Sequence, residues 1–116
     1  DMAHQGRWAW YTAAIRQADE LVWRIWQRLE ADGRTDLLVL PLHGRADHGQ
    51  TRWGFMGHGR EDEGCTRLWM LALGPDFAAG RLVEKRAQLI DVAPTIAGIL
   101  GFDFPSRGQV PKEVFV

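Results

Sequence analysis

The chain has 116 residues, 46% of them hydrophobic and 25% charged, with a net charge of −1. That balance belongs to a globular domain and excludes disorder, and the near-zero charge leaves no electrostatic footprint for nucleic acid or an anionic membrane. No apolar run approaches the ~20 residues of a membrane span, no signal-peptide pattern opens the chain, and the lone Cys65 excludes an internal disulfide.

The first predicted element is a helix from about Trp8 to Glu30. Tyr11, Ala14, Ile15, Ala18, Leu21, Val22, Ile25 and Leu29 recur at three- and four-residue steps, leaving Arg16, Asp19, Glu20, Arg24 and Arg28 largely off the stripe. Asp32-Gly33 stops it, with Gly as the left-handed cap. The four tryptophans Trp8, Trp10, Trp23 and Trp26 read as core or interface residues.

Leu37 to Leu40 is a short continuous apolar run, which predicts a strand buried on both faces. Residues 44–64 are polar, Gly-rich and without period, and stretches of that kind inside a compact domain tend to be functional. Leu68 to Leu73 predicts a second buried strand, ended by Gly74-Pro75. From Asp91 to Gly101 a helix is written with its punctuation: Asp91 as N-cap, Pro94 in the first turn, Gly101 at the end. The tail from Phe102 is expected to run over the surface. Helix, strand, long loop, strand and helix predict an α/β fold whose ligands bind beyond the carboxyl ends of parallel strands, where the loop at Leu42 departs.

That loop carries His-Gly twice, as Leu42-His43-Gly44 and Asp47-His48-Gly49. With Asp1, His4 and His58 these make a set of candidate metal ligands: Asp1, His4, His43, Asp47, His48 and His58. Oxygen and imidazole donors suit zinc or manganese. Asp1 and His4 share one face of a helical turn, and the glycines around His58 let the backbone approach an ion closely. Each also has a plainer reading. Asp1 and His4 suit a helix start, His43 a hydrogen-bonded turn, Asp47 and His48 a solvated loop, and Cys65 a small buried residue.

Five stretches taken together resemble the C-terminal half of an alkaline phosphatase superfamily domain, a family of phosphodiesterases, phosphatases and sulfatases. They are DMAHQGRWAWYTAAIRQADELVWRIW, LLVLPLHGR, WGFMGHGREDEG, RLWMLALGPD and IDVAPTIAGILG. The resemblance implies part of a three-layer α/β/α sandwich with a mostly parallel sheet, the whole chain as one C-terminal segment, and residues 44–64 as its active-site loop. It implies a two-metal site, commonly zinc, that hydrolyses a small phosphate or sulfate ester. One ion would be held by Asp1, His4 and His58. The other would be held by His43 and an Asp that Leu42 replaces here, so that second ion is expected to bind weakly or not at all; Asp47-His48 is the alternative pair.

The chain begins at Asp1 without an initiator Met, so it is expected to be a piece of a longer protein, with the nucleophile upstream and no activity alone. Strands missing upstream would leave a sheet edge open, which predicts a homo-oligomer. The competing reading is a non-catalytic binding or structural module that keeps the fold and a degraded metal site.

Overall fold

The computed structural model describes residues 1–47, 54–59, 61–84 and 86–116. Its first long element, α1, spans Trp8–Leu29 and passes into a 3-10 turn over Glu30–Asp32, closed by Gly33 at φ 62°. Left-handed backbone costs glycine nothing, so Asp32-Gly33 ends the helix as its letters predict. Asp32 adds an acceptor: its carboxylate takes the backbone N–H groups of Arg34 and Thr35 at 2.8 and 3.0 Å. Those bonds hold it below the usual carboxylate range, the Thr35 hydroxyl contributing most.

Strand β1, Leu37–Val39, pairs antiparallel with β2, Leu71–Leu73, in the register Leu37 to Leu73, Leu38 to Ala72 and Val39 to Leu71. This two-stranded sheet overturns the expected three-layer sandwich with a mostly parallel sheet. The connection over residues 40–70 is long enough for a crossover, yet the chain comes back to lay β2 beside β1 in the opposite direction, so the pair is antiparallel. The strands are also shorter than predicted and partly exposed, so continuous apolar letters do not mean burial on both faces here.

Between the strands lie a 3-10 turn, Gly54–Met56, and the four-residue α2, Glu63–Thr66. The Asp62 side chain accepts from the Cys65 N–H at 3.0 Å and caps α2. Past β2, Gly74 stands at φ 141°, where a side chain would run into Asp36. The Asp36 carboxylate accepts from the Asp76 N–H at 3.3 Å. Its pKa is raised, first by loss of water and then by the neighbouring Asp76 carboxylate.

Helix α3 spans Val92–Ile99 and buries Pro94, Thr95 and Ala97. Asp91 occupies its N-cap position, but its carboxylate does not cap α3 itself. Instead it accepts from the N–H groups of Gln88 at 2.8 Å and Gln109 at 2.7 Å, tying the tail to the helix start. Those two bonds hold Asp91 below the usual carboxylate range, that from Gln109 contributing most. The tail is largely exposed, as expected, and returns at Phe115 to bridge and stack on Phe77, with ring centroids 5.5 Å apart.

Helix α1 has the predicted bounds but not the predicted burial: none of its residues is buried, and Trp8, Trp10 and Trp23 are each more than half exposed. The core half of the core-or-interface reading is therefore corrected for Trp8, Trp10 and Trp23; Trp26 is half-buried. Among the described residues no helix is long and apolar enough to cross a membrane.

Candidate functional site: a histidine cluster under the first helix

Three separate segments build the site. The first is the turn before α1, where Gln5 N–H donates to the Asp1 carbonyl at 3.3 Å and Gly6 N–H to the Ala3 carbonyl at 3.0 Å. Ala3 is 1% exposed and pins the turn. The second is the Gly54–Met56 turn. Phe55 is buried, packs edge-on against Trp8 at 4.9 Å between centroids, and stacks on Tyr11 at 5.8 Å. Large aromatic faces give most of the apolar contact in a region this small, so Phe55 is the peg that fixes residues 56–58 beneath the start of α1.

The third segment, His43 to Ala46, threads between the other two parts of the loop. Gly44 N–H donates to the Cys65 carbonyl at 2.9 Å, and Ala46 N–H to the Gly57 carbonyl at 3.1 Å. Arg45 Nη1 donates to the Met56 carbonyl at 3.1 Å. A side chain on Gly44 would run into the Gly64 carbonyl, and one on Gly64 into the Arg45 carbonyl. The backbones pass this closely because neither residue has a Cβ.

These crossings bring His4, His43 and His58 together. The His43 and His58 rings stack with centroids 4.2 Å apart and planes 10° apart. His4 meets His58 edge-on, at 5.0 Å and 65°. His43 Nδ1 lies 2.9 Å from the Gly44 carbonyl. A carbonyl oxygen can only accept, so Nδ1–H is the donor, and when the ring is neutral its free lone pair is on Nε2. The pKa of His58 is lowered, first by loss of water around the ring and then by positive charge on His43, Arg45 and His4. A lowered pKa keeps the ring neutral near pH 7, the form that can ligate a cation.

The fit to a metal is partial. Imidazole lone pairs lie in the ring plane, and the planes of His4 and His58 cross at 65°. His43 and His58 are nearly parallel and do not share one ion in this arrangement. Among the described residues no group of three or more His, Cys, Asp and Glu side chains is placed to hold a metal. Asp1 and Arg45 line an open depression along α1 that none of the three histidines lines. Asp47 is exposed and its carboxylate lies beside Gly64. His48 lies outside the described residues, and with it the alternative Asp47-His48 pair. Leu42, the letter that breaks the resemblance, is 82% exposed.

The residues missed by the sequence reading are Arg45, Tyr11 and Phe55. Arg45 carries no motif, and Tyr11 and Phe55 announce themselves through size alone. No family model, no curated protein and no solved structure matches the chain.

Proposed function

We propose that this chain supplies part of the metal centre of a hydrolase acting on small phosphate or sulfate esters, with the nucleophile provided from outside these residues. The convergence of His4, His43 and His58 from three segments far apart in sequence carries the reading. His4 and His58 would hold one divalent ion, zinc, together with Asp1; His43 would serve a second, weaker position because Leu42 offers no charge. A bound ion of this kind neutralises charge on the transferred group and lowers the pKa of an attacking hydroxyl. The chain's own residues do the positioning. Phe55 holds His58 in place, and the Gly44 carbonyl sets the His43 tautomer, an outer contact of the sort that orients ligating imidazoles.

Zinc titration calorimetry tests this. The wild-type chain should bind one equivalent, and Asp1→Ala and His58→Ala should each weaken it by more than the roughly 10–100-fold that even outer contacts are worth. Leu42→Asp should add a second equivalent. The chain alone should not hydrolyse p-nitrophenyl phosphate. Zinc binding that is indifferent to His58→Ala, or hydrolysis by the isolated chain, would overturn the proposal.

The exposure of Leu42 at the expected ligand position favours one competing reading, a non-catalytic binding module with a degraded metal site. A Leu42→Asp variant that gains no second ion would support it.

A further inference from the structure

The apolar arc of α1 is wider than the part the chain covers. Tyr11, Val22, Trp26 and Leu29 are half-buried and mark the side turned toward the body of the chain. Next to them run Trp10, Ala14, Leu21 and Ile25, whose spacing of four, seven and four residues makes one stripe along a helix of 3.6 residues per turn. Trp10, Leu21 and Ile25 are 61%, 57% and 41% exposed, so this stripe faces water.

Charge and shape identify what covers it. Arg24 and Arg28 stand beside the stripe, three residues on from Leu21 and Ile25, while Asp19 and Glu20 lie on the far half of the helix. From Arg7 to Leu29 there are four arginines, Arg7, Arg16, Arg24 and Arg28, against those two acids, a charge of +2. The whole chain is at −1, so the remainder carries −3. The near-zero net charge thus averages a basic helix with an acidic remainder. The stripe is convex, one side chain wide and about 23 Å long at 1.5 Å per residue. A stable protein partner takes about 800 Å² from each side, more than such a band offers. A lipid surface deforms around a single helix and sets no such minimum.

We infer that α1 lies along the surface of an anionic bilayer, with Trp10, Leu21 and Ile25 in the headgroup layer and Arg24 and Arg28 against the lipid phosphates. Arginines at the polar flank, with tryptophan and aliphatic side chains on the adjoining face, are the pattern of an interfacial helix. Among the described residues no helix is long and apolar enough to cross a membrane, so the contact is peripheral. It needs no metal at the histidine cluster.

The 116-residue chain is floated with phosphatidylcholine–phosphatidylserine vesicles and with phosphatidylcholine vesicles, and its tryptophan emission is followed. It should float with the anionic vesicles with blue-shifted emission, and binding should weaken in pure phosphatidylcholine or at high salt. Leu21→Ser should cost about tenfold in affinity. Arg28→Gln should cost about fivefold, the worth of one cation at such a surface. Trp23→Ser is the control, as exposed as Leu21 but on the opposite side of α1, and should bind like wild type. Far-UV circular dichroism checks that each variant keeps its helix; if Leu21→Ser loses it, Trp10→Ser reads the same stripe.

No flotation with anionic vesicles, binding that survives Leu21→Ser, or an equal loss in Trp23→Ser would overturn the inference. So would a dimer in sedimentation that Leu21→Ser dissolves, because the occupant of the stripe would then be a second copy.

Discussion

Helix α1 and the crossing of residues 43–46 with 57–59 and 61–65 are opposites. The helix is 22 residues of regular backbone with none buried. The crossing has little regular structure, yet its backbone bonds at 2.9 and 3.1 Å and its two Cβ-free contacts leave almost no room for change. Regularity and tertiary fixation are separate properties. A helix hydrogen-bonds to itself and needs no neighbour to satisfy its polar groups, whereas an irregular segment must find each partner elsewhere in the chain.

Substitutions should therefore hurt in inverse proportion to regularity. The largest loss is expected for Gly44→Ala, which pushes a methyl into the Gly64 carbonyl. Overpacking of this kind costs about 1–3 kcal/mol, and it should also separate His43 from His58, visible as the loss of ring-current shifts between them. An unchanged denaturation midpoint would mean the crossing is looser than it stands here. Asp62→Ala comes next, removing the acceptor for the Cys65 N–H at the start of α2. About 1 kcal/mol should be lost in urea denaturation, as for other N-cap truncations.

The crossing should also feel pH through His58. Its folded pKa lies below the unfolded value of 6.5, so the unfolded chain takes up the proton first as pH falls. Stability is then undiminished above pH 6.5 and drops as pH falls below it, until the folded pKa is passed. His58→Gln should flatten that part of the profile, and a profile unchanged by the variant would show that the ring has ordinary access to water. The smallest effects belong to α1. Leu21→Ser and Trp23→Ser, at positions 57% and 58% exposed, should stay within about 0.5 kcal/mol. A loss well beyond that would reveal a covering partner in solution and erase the contrast between the two regions.

How much of this was legible beforehand divides along the same line. The bounds of α1 follow from three- and four-residue spacing and the Gly33 stop, and α3 from its Asp91, Pro94 and Gly101 punctuation. Even so, Asp91 spends its carboxylate on Gln88 and Gln109 instead of its own helix. The apolar run at β1 correctly signalled a strand, but apolar letters carry no direction, and antiparallel pairing with β2 replaced the parallel sheet. His43 and His58 were legible as candidates through their neighbouring glycines, and His4 through its three-residue spacing from Asp1. Their stacking was not, since ring orientation depends on Phe55 beneath α1 and on the Gly44–Gly64 crossing.

By itself, then, the sequence determined where helices begin and end and which side chains could ligate or hydrogen-bond, because those follow from local sterics, periodicity and donor chemistry. Tertiary structure alone decided that β1 and β2 pair antiparallel, that no residue of α1 is buried, and that His4, His43 and His58 share one corner with Arg45. Each of these depends on which distant segments approach one another, and no local spacing encodes that.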